Sequence, residues 1–229
     1  MIKIAGIEKL STIDYPNALC TVLFTAGCNM LCQYCHNADL IDFKGKLSDM
    51  SELLVLLEKR KKFIDAVCIS GGEPCLQNDL YIFIATLKEK GFRVKIDTNG
   101  TRPDVLKNVI DDSLVDYIAM DIKAPFADYN RVTGVLTNIE NIQESIGVIM
   151  SSGLDYEFRT TVCRPLIEPE DIIEIADYIK GAKRYYIQRF KERQSNYKSD
   201  NTLVTYNKEE LEEIIKQIKD WFGVCEMKG

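Results

Sequence analysis

Residues 18–37 read ALCTVLFTAGCNMLCQYCHN, an apolar run that leads directly into a loop with three cysteines. The run is apolar and contains β-branched residues, which predicts a buried strand. The loop then places Cys28, Cys32 and Cys35 ahead of His36, the single histidine of the chain. A strand followed at once by metal-ligand side chains indicates a functional site at the end of that strand.

Strand and helix patterns alternate along the chain after this loop. Six strands are predicted, at residues 18–24, 65–70, 93–98, 115–122, 155–162 and 184–190. Six helices are predicted, at residues 48–62, 78–91, 102–110, 138–153, 168–181 and 207–223. Ser48 is the expected N-cap of the first helix, and Gly91, Gly153 and Gly181 are expected to end three others. Such alternation predicts a parallel sheet with right-handed crossovers, either doubly wound or an open partial barrel.

Unusual polar residues lie at or near the carboxyl ends of all six predicted strands. They comprise the cysteine loop, GGEP at residues 71–74, DTNG at residues 97–100, Asp121 with Lys123, Arg159 and Gln188. Barrel-like curvature brings six strand ends to one centre, whereas a flat sheet would leave the outer ones out of reach. We therefore predict an α/β fold, a single-domain partial (β/α)6 barrel with parallel strands that spans residues 1–229.

Composition limits the classes of partner. Hydrophobic residues make up 46% of the chain and charged residues 28%, as in ordinary globular proteins, and the net charge is −6. That charge predicts no general attraction to nucleic acid or to an anionic membrane. No apolar run is long enough for a signal peptide or a membrane span, so we expect a cytoplasmic protein with reduced thiols.

The segment at residues 180–198 departs from this acidic balance. Its basic residues are Lys180, Lys183, Arg184, Arg189, Lys191, Arg193 and Lys198, against one acid, Glu192. Two interpretations stay open: a solvated face, or a docking surface for a partner beside the open side of the barrel.

Three metal chemistries are compatible with the cysteine loop. The sequence CQYCH matches a c-type haem attachment site, but haem would leave Cys28 without a role and normally requires export. Structural zinc requires four ligands, and His36 adjoins Cys35, so both would seldom reach one ion. A [4Fe–4S] cluster held by three thiolates keeps one iron open, as a catalytic metal centre requires. We favour the cluster, with zinc as the alternative.

The sequence CNMLCQYC followed by GGEP resembles the radical S-adenosylmethionine (SAM) enzymes, over essentially the whole chain. The longer stretch STIDYPNALCTVLFTAGCNMLCQYCHN, with DTNG, DIK and Arg159, is similar to the glycyl-radical-enzyme activating proteins. Among these it most resembles the activators of anaerobic ribonucleoside-triphosphate reductase. One departure is Asn17, where this group more often has glycine after DYP.

The resemblance implies a role for each polar strand end. Cys28, Cys32 and Cys35 would ligate the cluster and form the catalytic centre, with SAM on the open iron. The residues implied to bind SAM are Tyr34 along the adenine, Gly71, Gly72 and Glu73 near the ammonium, Asp97, Asp121 and Lys123 at the methionine end, and Arg159 near the carboxylate or ribose. The acidic pair would also form a monovalent-cation site, and His36 and Asn37 would support the loop by hydrogen bonds.

The implied reaction is reductive cleavage of SAM to methionine and a 5′-deoxyadenosyl radical. That radical would take a hydrogen atom from a glycine Cα of a large partner enzyme, and a flavodoxin- or ferredoxin-like protein would supply the electron. Two rivals stay open. One is a radical SAM enzyme that modifies a small molecule or a peptide, and the other is a non-enzymatic iron–sulfur electron carrier.

Overall fold

The computed structural model describes residues 2–191 and 202–229. Within them, eight strands form one sheet: β1 (Ile4–Ser11), β2 (Cys20–Thr25), β3 (Ala66–Gly71), β4 (Arg93–Thr98), β5 (Tyr117–Asp121), β6 (Asp155–Val162), β7 (Arg184–Arg189) and β8 (Val224–Lys228). The helices are α1 (Met50–Arg60), α2 (Leu80–Glu89), α3 (Pro103–Asp111), α4 (Tyr129–Thr133), α5 (Ile139–Ser151), α6 (Pro169–Tyr178) and α7 (Lys208–Ile218).

The strands lie side by side in chain order, and β2 to β8 run parallel. Strand β1 pairs antiparallel with β2, so β1 and β8 are the two edges of an open sheet. The prediction of a partial barrel with parallel strands is therefore confirmed. The predicted number of six strands was too low, because β1 and β8 are partly exposed edge strands without a continuous apolar run.

The helix ends follow the expected chemistry with two corrections. Asp49, not Ser48, is the N-cap of α1, since its carboxylate accepts the backbone N–H of Glu52 at 3.0 Å. The last helix, α7, stops at Ile218 rather than continuing to residue 223, and β8 begins at Val224. The predicted end positions Gly91, Gly153 and Gly181 all have left-handed φ angles, of 77°, 75° and 90°.

Side chains along the central strands point alternately to the apolar core and to the concave face of the sheet. Ile96 of β4 and Met120 of β5 are fully buried in the main hydrophobic core, which they share with helix residues such as Ile84 and Leu106. Because strand side chains alternate between faces, Asp97 and Asp121 lie on the opposite, concave face. The sheet thus places an apolar layer under the helices and a polar layer inside the barrel.

The loop between β1 and β2 packs at the amino ends of the central strands. The Tyr15 ring lies 5.9 Å from the Tyr117 ring, and the Arg93 guanidinium lies 5.1 Å from the Tyr15 ring centre. Asn17 has a φ of 57°, a left-handed conformation that asparagine tolerates better than most residues. The turn therefore keeps its shape without the glycine that is more usual there.

A search of the described residues for helices that could cross a lipid bilayer finds none of sufficient length and apolar character.

Candidate active site

A cavity of about 390 Å³ lies at the carboxyl ends of β2 to β7. The sequence-predicted site residues all line it: Cys28, Cys32, Tyr34, Cys35, Gly71, Gly72, Glu73, Asp97, Asp121, Lys123 and Arg159. Gln188, the weakest candidate from the sequence, lines it too, and its Oε1 accepts a hydrogen bond from Thr161 at 3.3 Å. The curved sheet thus brings together residues that are up to 160 positions apart in the chain.

The cysteine loop is held by backbone hydrogen bonds on both sides. Leu31 donates to the Thr133 carbonyl at 2.8 Å, and Gly27 donates to the Leu40 carbonyl at 2.7 Å. Burial raises the pKa of the Cys28 thiol to about 11 and that of the Cys32 thiol to about 12. Since thiolates are the form that binds metal, loading of this loop has to displace protons.

Among residues 2–191 and 202–229, no three His, Cys, Asp or Glu side chains converge closely enough to hold one metal ion. A single zinc ion takes all its ligands at one point. A four-iron cube instead takes its ligands at separate corners, and the three thiols on one cavity wall fit that larger group.

Tyr34 is buried in the hydrophobic core, with 4% of its surface exposed, and it also lines the cavity. Its hydroxyl has no hydrogen-bond partner in the described part of the chain. Burial raises the pKa of this phenol well above its usual value, so it stays a neutral donor. A buried polar atom without a partner calls for an explanation, and a molecule bound in the cavity would supply the missing partner.

The glycine pair allows close contact between backbones. A Cβ on Gly71, whose φ is 110°, would lie 2.3 Å from the Thr25 nitrogen, and a Cβ on Gly72 would lie 2.0 Å from the Gly27 carbonyl oxygen. The sequence interpretation related these glycines to the approach of a ligand. The structure gives them another task, since they bring the end of β3 against the end of β2 and the start of the cysteine loop.

Glu73 is almost fully buried, with 1% exposure. Its Oε1 accepts from Cys75 N at 3.0 Å and from Thr98 Oγ1 at 2.8 Å, and its Oε2 accepts from Asn99 N at 2.7 Å. Burial raises the pKa of this carboxyl, and the three hydrogen bonds act in the opposite direction. Glu73 therefore ties the end of β3 to the end of β4.

Charged residues form a network at the cavity, and Asp97, Asp121, Lys123 and Arg159 belong to its lining. Arg159 Nε donates to Asp121 Oδ1 at 2.7 Å, and its Nη1 lies 3.4 Å from Asp97 Oδ2. Lys123 Nζ donates to Asp121 Oδ2 at 3.0 Å, and Lys95 Nζ lies 2.9 Å from Asp97 Oδ1. Buried carboxylates are stable only with such partners.

The pKa shifts follow from this network. Burial is the largest single influence and would raise the pKa of both Asp97 and Asp121, but Arg159, a lysine and their hydrogen bonds together outweigh it in each case. Lys95 assists at Asp97 and Lys123 assists at Asp121, so both pKa values are lowered and both groups stay ionised. Lys95 was missed in the sequence, although it lies two residues before Asp97 in a predicted strand and therefore on the same face.

His36 and Asn37 make the supporting hydrogen bonds that were expected of them. His36 Nε2 lies 2.9 Å from the Lys191 carbonyl oxygen, and the ring stacks on Phe190 at 6.1 Å. Asn37 Nδ2 donates to the Gly71 carbonyl at 3.4 Å. These contacts hold the cysteine loop against the ends of β7 and β3.

The cations of the basic segment that the structure describes, at residues 180–191, do not all lie beside the cavity. Lys180, Lys183 and Arg184 lie at the amino end of β7, and Lys183 Nζ donates to the Leu154 carbonyl at 2.6 Å. Arg189 ends the same strand, near the cavity. The interpretation of residues 180–198 as one surface is therefore wrong for its first three cations, while Arg193 and Lys198 lie outside the described residues.

Comparison with known proteins agrees with this geometry. The sequence matches the radical SAM superfamily over residues 22–180. A Methanocaldococcus jannaschii protein whose name assigns it as a glycyl-radical enzyme activating enzyme is 38% identical over 223 residues, which is 95% of this chain and 92% of that protein. The pyruvate formate-lyase-activating enzyme of Clostridium pasteurianum is 31% identical over 193 residues, or 79% of this chain and 77% of that enzyme.

Solved structures share the fold at low sequence identity. Streptococcus suis SuiB bound to S-adenosylmethionine superposes with a TM-score of 0.64 at 14% identity, over 89% of this chain and 48% of that one. The family match and the 38% identical relative confirm that the protein is an enzyme whose cofactors are a [4Fe–4S] cluster and SAM. The chain belongs to the radical SAM superfamily and, within it, to the glycyl-radical-enzyme activating enzymes.

Proposed function

We propose that this protein generates a glycyl radical on anaerobic ribonucleoside-triphosphate reductase. The observation that carries the proposal is that three loop cysteines, a glycine pair and a buried charge network line one cavity. The cysteines have the spacing of a three-thiolate cluster loop. The charge network contains both cations and carboxylates, which can meet the carboxylate and the ammonium of the methionine end of SAM.

Cys28, Cys32 and Cys35 would hold the cluster. When bound and reduced, it supplies the electron that cleaves SAM reductively. All three cysteines line the cavity, with Cys32 buried and Cys28 and Cys35 part-buried. Backbone hydrogen bonds to Leu40 and Thr133 hold the loop in this shape.

The methionine end of SAM would lie on the charge network. Asp121 uses one oxygen for Arg159 and the other for Lys123, and so fixes two cations on the cavity wall that can meet the SAM carboxylate. Glu73 Oε2 accepts one hydrogen bond and keeps a second lone pair for the SAM ammonium. The unpartnered Tyr34 hydroxyl would donate to the adenosine part.

The monovalent cation is a separate part of the proposal. In the structure Lys95, Lys123 and Arg159 already lie against the oxygens of Asp97 and Asp121. A cation would therefore have to displace one of these side chains. A higher affinity for SAM in potassium or sodium than in tetramethylammonium salts would support its presence.

The partner assignment depends on the resemblance of YCHN, DTNG and DIK to the reductase activators. The open sheet supports a macromolecular substrate, because a closed eight-stranded barrel fills its interior with side chains. A flavodoxin- or ferredoxin-like protein would supply the electron. A cytoplasmic location belongs to the same proposal, because a reducing compartment keeps the three thiols free.

The test is an anaerobic assay of the reconstituted protein with dithionite and SAM, with and without purified reductase. We expect 5′-deoxyadenosine and a glycyl-radical doublet on the reductase by electron paramagnetic resonance (EPR). A doublet on pyruvate formate-lyase alone would overturn the choice of partner. SAM cleavage without a radical on either protein would favour an enzyme acting on a small molecule or a peptide, and no cleavage would favour an electron carrier.

A further inference from the structure

Asn99 follows β4 and contacts the cysteine loop. Its Nδ2 lies 2.9 Å from Asn29 Oδ1 and 4.0 Å from Cys28 Sγ. Its Oδ1 accepts from the Thr101 backbone nitrogen at 3.1 Å and from Thr101 Oγ1 at 2.7 Å. The residue is buried, with 5% exposure, and lines the active-site cavity.

These contacts determine the orientation of the Asn99 amide. A backbone nitrogen can only donate, so the atom that faces Thr101 N has to be the oxygen of Asn99. The amide NH₂ therefore faces the cysteine loop. It carries two hydrogens, and the structure offers two acceptors, Asn29 Oδ1 and Cys28 Sγ.

A closed ring of three hydrogen bonds reinforces this orientation. Asn99 donates to Asn29, Asn29 Nδ2 donates to Thr101 Oγ1 at 3.0 Å, and Thr101 Oγ1 donates back to Asn99 Oδ1. Each hydroxyl or amide in the ring donates once and accepts once within it, so the three bonds support one direction. The second hydrogen of the Asn99 amide remains for the sulfur.

Glu73 fixes the backbone beneath the ring. Its Oε2 accepts from Asn99 N at 2.7 Å, and its Oε1 accepts from the neighbouring Thr98 hydroxyl. Both partners are nearly excluded from solvent, with exposures of 1% for Glu73 and 5% for Asn99. Backbone and side chain of Asn99 are thus both held.

We propose that Asn99 is a positioning residue that donates an N–H···S hydrogen bond to Cys28 and raises the reduction potential of the cluster. The inference depends on the proposed ligation by Cys28. Reduction adds negative charge to a cluster and its sulfurs, and the positive end of an N–H dipole stabilises that state more than the oxidised one. Asn99 would therefore ease electron entry without contacting SAM.

The test is the midpoint potential of the reconstituted cluster, measured by EPR-monitored redox titration without SAM or partner. Asn99→Ala removes the donor, and Asn99→Asp replaces it with an acceptor of the same shape. We expect the potential to shift to more negative values in both, and further in Asn99→Asp because of its charge. Asn108→Asp introduces the same charge on the exposed side of α3 and should leave the potential unchanged.

Substitutions of Thr101 test the ring of three hydrogen bonds separately. Thr101→Val removes the hydroxyl but keeps the shape, and should shift the potential in the same direction by a smaller amount. Thr101→Ser keeps the hydroxyl and should restore the original value. In the double variant Asn99→Ala/Thr101→Val the Thr101 change should add no further shift, because it acts through Asn99.

Iron content and Tm accompany each titration, so that a variant with a lost cluster is recognised. Unchanged potentials in cluster-loaded Asn99→Ala and Asn99→Asp would overturn the inference and leave the proposed function intact. Normal cluster loading in Cys28→Ala, or no cluster in the wild-type protein, would contradict the ligation itself and with it both proposals.

Discussion

Arg159 Nε donates to Asp121 Oδ1 over 2.7 Å, and the two residues are register partners on β6 and β5. The same guanidinium reaches Asp97 on β4. One cation therefore joins the carboxyl ends of three neighbouring strands below the cavity. We therefore expect Arg159 both to fix these strands and to set the charge that the methionine end of SAM meets.

Asp121→Asn should weaken SAM binding more than tenfold, that is, by more than about 1.4 kcal/mol. The change leaves Lys123 and Arg159 without their shared carboxylate, so it should also lower Tm, since breaking a buried pair costs roughly 3–5 kcal/mol. SAM affinity measured by equilibrium dialysis on the folded fraction separates the two effects. A normal affinity with a lowered Tm would assign Asp121 a purely structural role.

The network also predicts how stability depends on pH. Arg159, with Lys95 at Asp97 and Lys123 at Asp121, lowers the folded-state pKa of both carboxyls against the effect of burial. A carboxyl whose pKa is lowered by folding stabilises the fold at pH values above its pKa in the unfolded chain, which is near 4 for aspartate. This stabilisation is lost as the pH falls below that unfolded-state pKa. Urea unfolding of the apo protein at pH 5, 4 and 3 should therefore show a free energy of unfolding that declines below about pH 4. Asp121→Asn should reduce the slope, and an identical slope in both proteins would contradict this account.

The glycine pair allows a matched comparison. Gly72→Ala would bring a Cβ to 2.0 Å from the Gly27 carbonyl and should displace the start of the cysteine loop, which lowers iron binding. Gly147→Ala, on the exposed side of α5 with nothing within 4 Å, should bind iron normally and stabilise the helix by up to about 1 kcal/mol. Iron content and Tm of the two variants check this. Full iron loading in Gly72→Ala would show that the loop can move aside without losing the site.

The central strands and the site could be predicted because each left a local signal. Buried strands such as β4 are continuous apolar or alternating runs, and the polar residues stood where these runs ended. The edge strands β1 and β8 left no such signal, since their side chains are half-exposed on both faces. Local pattern predicts an element only when one of its faces is buried.

Contacts between residues that are far apart in the sequence were not predictable in the same way. The sequence presented Glu73 as a ligand-binding acid, yet its carboxylate first satisfies the backbone of Asn99, 26 residues away. The contact between Asn99 and Cys28 spans 71 residues. Such contacts depend on how the curved sheet brings loops together. No periodic pattern in a single sequence predicts them.

The most direct test of the account is SAM cleavage by cysteine variants. Reconstituted without oxygen, the wild-type protein should bind about four irons per chain and form 5′-deoxyadenosine under dithionite. Cys32→Ala, in the cavity, should abolish the product, whereas Cys225→Ala, on the edge strand β8, should leave it unchanged. Equal loss in both variants, or full activity in Cys32→Ala, would contradict the assignment of the cluster to this loop.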